Sequence, residues 1–156
     1  DAQRRLAELY FDGEGVEQSY EKAAEYYQLA ADQGNASAQN SLGYMYRKGY
    51  GVTQSNEKAV EYYKLAADQG YASAQNNLGY MYQKGYGVTQ SYEKAVEYYR
   101  LAADYGNASA QYNLGFMYEN GYGVTQSYEK AAEYYQLAAD QGDEDAKKAL
   151  ERVQGK

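Results

Sequence analysis

The chain has no cysteine, histidine, proline or tryptophan among its 156 residues. Without cysteine there is no disulfide framework, and the redox compartment stays open. Without histidine, the usual general base near neutral pH and the commonest metal ligand are both missing. A hydrolase built on Ser–His or Cys–His is excluded, and no metal or cofactor is expected. Long apolar runs are absent too: no stretch approaches the length needed to span a bilayer, and no basic-then-apolar leader opens the chain at Asp1. The expectation is a soluble protein with no membrane insertion. Positive charge is scarce, with 15 Lys+Arg against 22 Asp+Glu and a net charge of -7. That balance argues against an electrostatic grip on nucleic acid or anionic membrane.

What the chain does have is tyrosine, in 23 copies. Mean hydropathy is low, at -0.91, partly because hydropathy scales count tyrosine as polar. Its ring nevertheless buries a large apolar area once the hydroxyl finds a partner. With 44% hydrophobic and 16% aromatic residues, the chain should fold.

A repeat of 36 residues organises the sequence: Leu42, Leu78 and Leu114 are in step, as are Gly43, Gly79 and Gly115, and the pairs Tyr62–Tyr63, Tyr98–Tyr99 and Tyr134–Tyr135. Ser37–Ala72 and Ser73–Ala108 differ at only six positions. A period in this range signals stacked units, each burying an apolar face on its neighbours. Within a unit, Ala74, Leu78, Met81 and Tyr82 form one stripe of an amphipathic helix. Gly79 lies beside that stripe, where a missing side chain lets a neighbouring helix approach. Gly85 ends the helix as a left-handed cap, and Val88 anchors the following loop in the core. Ser91 caps a second helix, whose stripe is Tyr92, Ala95, Val96, Tyr99 and Ala103, and Gly106 closes it. The ends deviate. Ala7 takes the helix-glycine position among Arg4, Arg5, Glu8 and Asp12, and a lone last helix carries Ala146, Leu150 and Val153 beside Lys147, Lys148 and Arg152. Both read as polar caps on an apolar stack. The expected fold is all-α, with four helix pairs and a capping helix. The single repeat domain 1–156 divides into units 1–36, 37–72, 73–108 and 109–142, with the capping helix at 143–154.

The frame A-x-x-x-L-G-x-M-Y-x-x-G-x-G-V-x-x-x-x-x-K-A-x-E-Y-Y-x-x-A-A-x-x-G resembles the Sel-1-like repeat, a relative of the tetratricopeptide repeat, over essentially the whole chain. The resemblance implies an α-solenoid, a right-handed superhelix of antiparallel helix pairs with a concave inner face. It also implies an adaptor that binds proteins or extended peptides, in bacterial cytoplasm, periplasm or outside the cell. The cysteine-rich secreted branch pins each helix pair with a disulfide, which this chain cannot form. The near-identity of the units looks like a consensus-designed scaffold without a natural ligand, and recent tandem duplication gives the same pattern.

Positions that differ between near-identical units are where a binding surface would be diversified. In the first helices these are Asn40/Asn76/Tyr112, Ser41/Asn77/Asn113, Tyr44/Tyr80/Phe116, Arg47/Gln83/Glu119 and Lys48/Lys84/Asn120. At 100° per residue they share one arc opposite the apolar stripe, which by resemblance lines the concave groove. Tyrosine supplies rigid contact area, Asn and Gln adaptable hydrogen bonds, and Lys and Arg partners for carboxylates. An acidic or C-terminal peptide is expected there, its carboxylate near Lys48 and Lys84. Tolerance of change at solvent-facing positions is the alternative, and tyrosine on both faces allows self-association.

Other signals read as structure. The glycine pairs at 49–51, 85–87 and 121–123 follow a helix and lack the P-loop lysine spacing, so they are capping turns. The sequons at Asn35 and Asn107 stand at helix starts. Asp12, Glu14 and Glu17 form a solvated acidic loop without calcium-loop spacing. Ser55, Ser91 and Ser127 are each followed three residues later by Lys58, Lys94 and Lys130. This formally matches the S-x-x-K of β-lactam-recognising enzymes and makes β-lactam or peptidoglycan-fragment binding a distant alternative. The companion motifs are missing, and an N-cap with a surface lysine is the reading here. The chain is not expected to be an enzyme.

Overall fold

A computed structural model describes residues 1–156. It contains nine α-helices and no strand: α1 (Ala2–Asp12), α2 (Tyr20–Asp32), α3 (Ala36–Lys48), α4 (Asn56–Asp68), α5 (Ala72–Lys84), α6 (Tyr92–Asp104), α7 (Ala108–Asn120), α8 (Tyr128–Asp140) and α9 (Glu144–Gln154). The four pairs and the single last helix are those that the periodicity predicts. The chain forms two compact units. The N-terminal unit comprises Asp1–Ala74 with Tyr86–Val88, and the C-terminal unit comprises Gln75–Gly85 with Thr89–Lys156.

Helix ends follow from local chemistry. Ser19, Ser55, Ser91 and Ser127 adopt extended backbone and accept a hydrogen bond on Oγ from the N–H three residues on, at 3.1–3.2 Å. Asn35 and Asn107 do the same on Oδ1 at 2.8 Å for α3 and α7, as does Asp143 for α9. At the C-termini of α3 and α7, Gly49 and Gly121 turn left-handed, with φ 73 and 70. The next loop then folds back. Gln18, Gln54, Gln90 and Gln126 each donate through Nε2 to a last-turn carbonyl, those of Phe11, Arg47, Gln83 and Glu119. These carbonyls belong to the group every helix leaves without an internal partner. After α6, the left-handed Gly106 (φ 89) stands one residue beyond the C-cap Tyr105.

The core alternates very small and very large side chains. In the N-terminal unit, Ala7, Ala23, Ala30, Ala38, Leu42 and Met45 pack with Tyr27. Alanine lets the helices approach, and tyrosine fills the remaining volume. Tyr63, Tyr99 and Tyr135 are fully buried, as are Leu78, Met81, Leu114 and Met117. The first tyrosine of each pair stays half-buried and stacks on the preceding helix: Tyr62 on Tyr46 at 5.7 Å, Tyr98 on Tyr82 at 5.8 Å, Tyr134 on Tyr118 at 5.7 Å. Lys58, Lys94 and Lys130 place their ammonium groups over the outer faces of Tyr46, Tyr82 and Tyr118, 5.4–5.5 Å from the centroids. Each lysine of the S-x-x-K spacing thus donates its backbone N–H to the serine, while its side chain caps an aromatic stack.

Two packing features depart from the sequence reading. Val52 and Val88 are half-buried at the edge of the core instead of within it. Gln39, Gln75 and Gln111 are buried on the first helices, beside the apolar stripe. Gln39 donates to the Ala31 carbonyl and accepts from Gln69. Gln111 likewise donates to the Ala103 carbonyl and accepts from Gln141. A buried amide satisfied on both sides ties three successive helices together at little net cost.

Candidate functional site

None of the fifteen variable first-helix residues is fully buried. On α3, Asn40, Ser41 and Arg47 are half-buried, and Tyr44 and Lys48 are exposed. Ser41 lies within hydrogen-bonding reach of the Tyr27 hydroxyl, whose pKa is raised by burial and partly restored by Ser41. The Tyr44 ring meets Tyr50 edge-on at 6.0 Å, and Tyr50 stacks on Tyr20 at 4.7 Å. Lys48 Nζ stands 5.9 Å from the Tyr44 centroid.

In the C-terminal unit the structure brings the α5 and α7 residues together. Asn113 Nδ2 donates to Asn76 Oδ1 at 2.9 Å, joining the two helices across their variable faces. Asn77, Tyr80 and Gln83 of α5 are half-buried, and Lys84 is exposed with Nζ 5.9 Å from the Tyr80 centroid. On α7, Tyr112 packs on Tyr135 at 5.4 Å, and Phe116 meets Tyr122 at 6.0 Å, which stacks on Tyr92 at 4.7 Å. Asn120 is exposed and donates to the Phe116 carbonyl one turn back on its own helix.

One variable position has a role that periodicity does not reveal. Arg47, Gln83 and Glu119 each face the hydroxyl of the buried tyrosine 16 residues on. Tyr99 Oη donates to Gln83 Oε1 at 2.6 Å, and Tyr135 Oη donates to Glu119 Oε1 at 2.7 Å. Burial pushes the Tyr63 hydroxyl up to about 12, and the neighbouring Arg47 guanidinium opposes the shift. For Tyr135, burial and the Glu119 carboxylate both raise the pKa. A phenol, an amide acceptor and a carboxylate acceptor are chemically matched pairs, so variation here is constrained from inside. The fixed spacing of this polar position to the Tyr–Tyr pair is the only sequence signal for it.

Glu119 is engaged a second time. Arg152 of α9 donates to both its oxygens, at 2.6 and 2.8 Å, and these bonds hold the carboxyl below its ordinary value of 4.5. The last helix therefore covers the end of the α7 face. Because the folded-state pKa is depressed, this contribution is complete above the ordinary carboxylate range and is lost as pH falls through the folded value. Glu119→Gln should cost about 1 kcal/mol at pH 7, given the half-exposed arginine. The difference from the parent should vanish below the carboxylate range, as denaturant titrations over pH would show.

The remaining candidates stay apart. Asp12, Glu14 and Glu17 are exposed, and no group of three or more His, Cys, Asp or Glu side chains is placed to hold a metal ion. No helix is long and apolar enough to cross a membrane.

A profile of the Sel1 repeat matches residues 1–35, 36–71, 72–107 and 108–143. Among solved structures, a Sel1 repeat protein from Oxalobacter formigenes is similar, with 38% identity and a TM-score of 0.90 over 96% of this chain and 59% of that one. The c5321 protein, a protective antigen of uropathogenic Escherichia coli displaying an SLR fold, is 37% identical with a TM-score of 0.90, over 97% of this chain and 32% of that one. Cysteine-rich protein B (HcpB) of Helicobacter pylori is 26% identical with a TM-score of 0.63, over 80% of this chain and 90% of that one. The chain thus spans 59% and 32% of the first two relatives. A search of curated proteins gives no match. Four profile matches across nine helices, with two neighbours above one-third identity, establish that this chain belongs to the Sel1 repeat family.

Proposed function

We propose that the chain is a protein-binding repeat scaffold, and that the variable faces of its first helices take up an extended, acidic segment of a partner. Sel1 repeat proteins generally mediate protein–protein interactions, and the fold is typically a non-enzymatic scaffold. The observation that carries the reading is the pairing of Lys84 with Tyr80. An exposed ammonium stands over a half-buried ring, and Lys84 belongs to none of the four ion pairs of the chain. Beside it, the bonded Asn76–Asn113 amides and the Phe116 ring offer hydrogen-bonding and apolar contact on one face. Lys48 over Tyr44 repeats the arrangement in the N-terminal unit. A lysine held over an aromatic ring is partly pre-ordered, which lowers the entropy cost of meeting a carboxylate.

A peptide-library screen on the intact chain tests this reading. Enriched peptides should carry acidic residues or a free C-terminal carboxylate. Changing Tyr44, Tyr80 and Phe116 together to alanine should weaken binding at least ~30-fold, the scale of removing an aromatic hot spot. Changing Lys48 and Lys84 to alanine should remove the preference for acid. Enrichment no greater than background would leave a scaffold without a ligand, and the binding reading would fall.

A further inference from the structure

In the C-terminal unit a side-chain bond joins α5 and α7 across their variable faces, with Asn113 Nδ2 donating to Asn76 Oδ1 at 2.9 Å. An asparagine amide carries two donors and an oxygen with two lone pairs. The bond takes one donor from Asn113 and one lone pair from Asn76, and neither side chain makes a second hydrogen bond. The Asn76 amino group and the Asn113 oxygen therefore remain as a donor and an acceptor on two half-buried side chains. The pair is not carried into the following repeat, where Tyr112 and Ala149 hold the equivalent positions.

Aromatic rings follow the pair on both helices. Tyr80 is one turn beyond Asn76 on α5, and Phe116 is one turn beyond Asn113 on α7, each half-buried. Lys84 comes a further turn along α5, exposed, with its ammonium over the Tyr80 ring. Asn76 and Lys84 are thus about 12 Å apart along the helix axis, at about 1.5 Å per residue. An extended chain covers that distance in about three to four residues, at about 3.3 Å each.

Building on the acidic-segment reading of this face, we infer that the Asn76–Asn113 pair reads the partner's backbone. One residue of the extended segment accepts on its carbonyl from Asn76 Nδ2 and donates its N–H to Asn113 Oδ1. A residue in an extended chain presents its own N–H and C=O toward one edge, so a single residue matches the donor and acceptor that the two asparagines offer. In a partly desolvated setting such bonds are stronger than in water. Main-chain bonds supply affinity without regard to side chains, and the flanking contacts supply selectivity. The ligand class is an extended segment whose carboxylate, at Lys84, stands about three to four residues from the clamped residue. Proline is barred from the clamped position because it lacks the N–H.

The test is an NMR titration of the intact chain with the hexapeptide acetyl-Gly-Ser-Leu-Ser-Leu-Asp, its C-terminus free, and with analogues methylated at one backbone nitrogen each. The side-chain amide signals of Asn76 and Asn113 should shift with the parent peptide. A methyl about three or four residues before the aspartate should weaken binding about tenfold. Asn113→Ala, which places a good helix former in α7 and whose fold circular dichroism would verify, should bind the parent peptide and that analogue equally. Loss of the methyl effect in the variant is the double-mutant signature of direct contact. Lys84→Ala should abolish the preference for the acid over its asparagine analogue and leave the methyl-sensitive position where it was. The inference is overturned if every methylated analogue binds like the parent, or if Asn113→Ala still distinguishes them; the acidic-segment reading survives either result. A hexapeptide that does not bind also overturns it, since a backbone clamp is indifferent to most side chains, and the library screen then decides the acidic-segment reading separately.

Discussion

Gly51→Ala is expected to destabilise the protein by about 3 kcal/mol or more, while Gly15→Ala at the same position of the first repeat costs about 1 kcal/mol. Both glycines are left-handed, with φ 71 and 76. A side chain there carries the same backbone strain in either case. The surroundings differ. A Cβ on Gly51 would lie 2.3 Å from the Tyr20 carbonyl oxygen and 2.8 Å from the Glu21 nitrogen, whereas nothing lies within 4 Å of one on Gly15. The obstacle is the first turn of α2, which is hydrogen-bonded backbone and cannot rotate away as a side chain could. Gly87 meets the Asn56 carbonyl in the same manner at 2.5 Å. For a chain of this length the Gly51 variant should melt about 6–12 °C below the parent and the Gly15 variant about 2–4 °C below. Equal shifts would mean that the loop does not dock on the preceding helix, and that left-handed strain alone accounts for the cost.

Tyr99→Ala should cost about 3–5 kcal/mol, the scale of truncating a buried aromatic side chain, and Tyr99→Phe only about 1 kcal/mol. The ring is fully buried and lies against Gly79, where an added Cβ would come within 2.8 Å of its Cδ1 and Cε1. Removing the ring leaves a cavity bordered by the backbone of α5 at Gly79, a wall that cannot collapse far. Removing only the hydroxyl forfeits the bond to Gln83 Oε1, and Gln83, being half-buried, can turn to water. Guanidinium titrations of the two variants check the ratio. If phenylalanine costs as much as alanine, the hydroxyl bond would be the main contribution and the ring packing the lesser. The first repeat already shows what the glycine accommodates. Ala7 occupies its position, and Tyr27 opposite is 5% exposed where Tyr99 is at 0%.

The helices, their order and most of their ends were legible in the sequence because each depends on interactions within a turn or two. The stripe Ala74–Leu78–Met81 sets a buried face through the 3.6-residue period, Ser91 caps α6 through an N–H three residues away, and Gly85 supplies a left-handed turn no other residue type adopts cheaply. The repeat itself made the family recognisable. Only the tertiary structure decided what the polar residues meet. Gln111 looks like any surface glutamine by composition, and it is buried because a carbonyl eight residues back and an amide 30 residues on both reach it. Glu119 looks like a diversified surface charge, yet Tyr135 from one side and Arg152 from the other engage it. Gly51, Gly87 and Gly123 read as turn residues in sequence, and their close approach to a helix of the preceding repeat emerges only in three dimensions. Local periodicity fixes which face of a helix turns inward. Which partner each polar group finds depends on side chains distant in the chain, and no short window of sequence contains both.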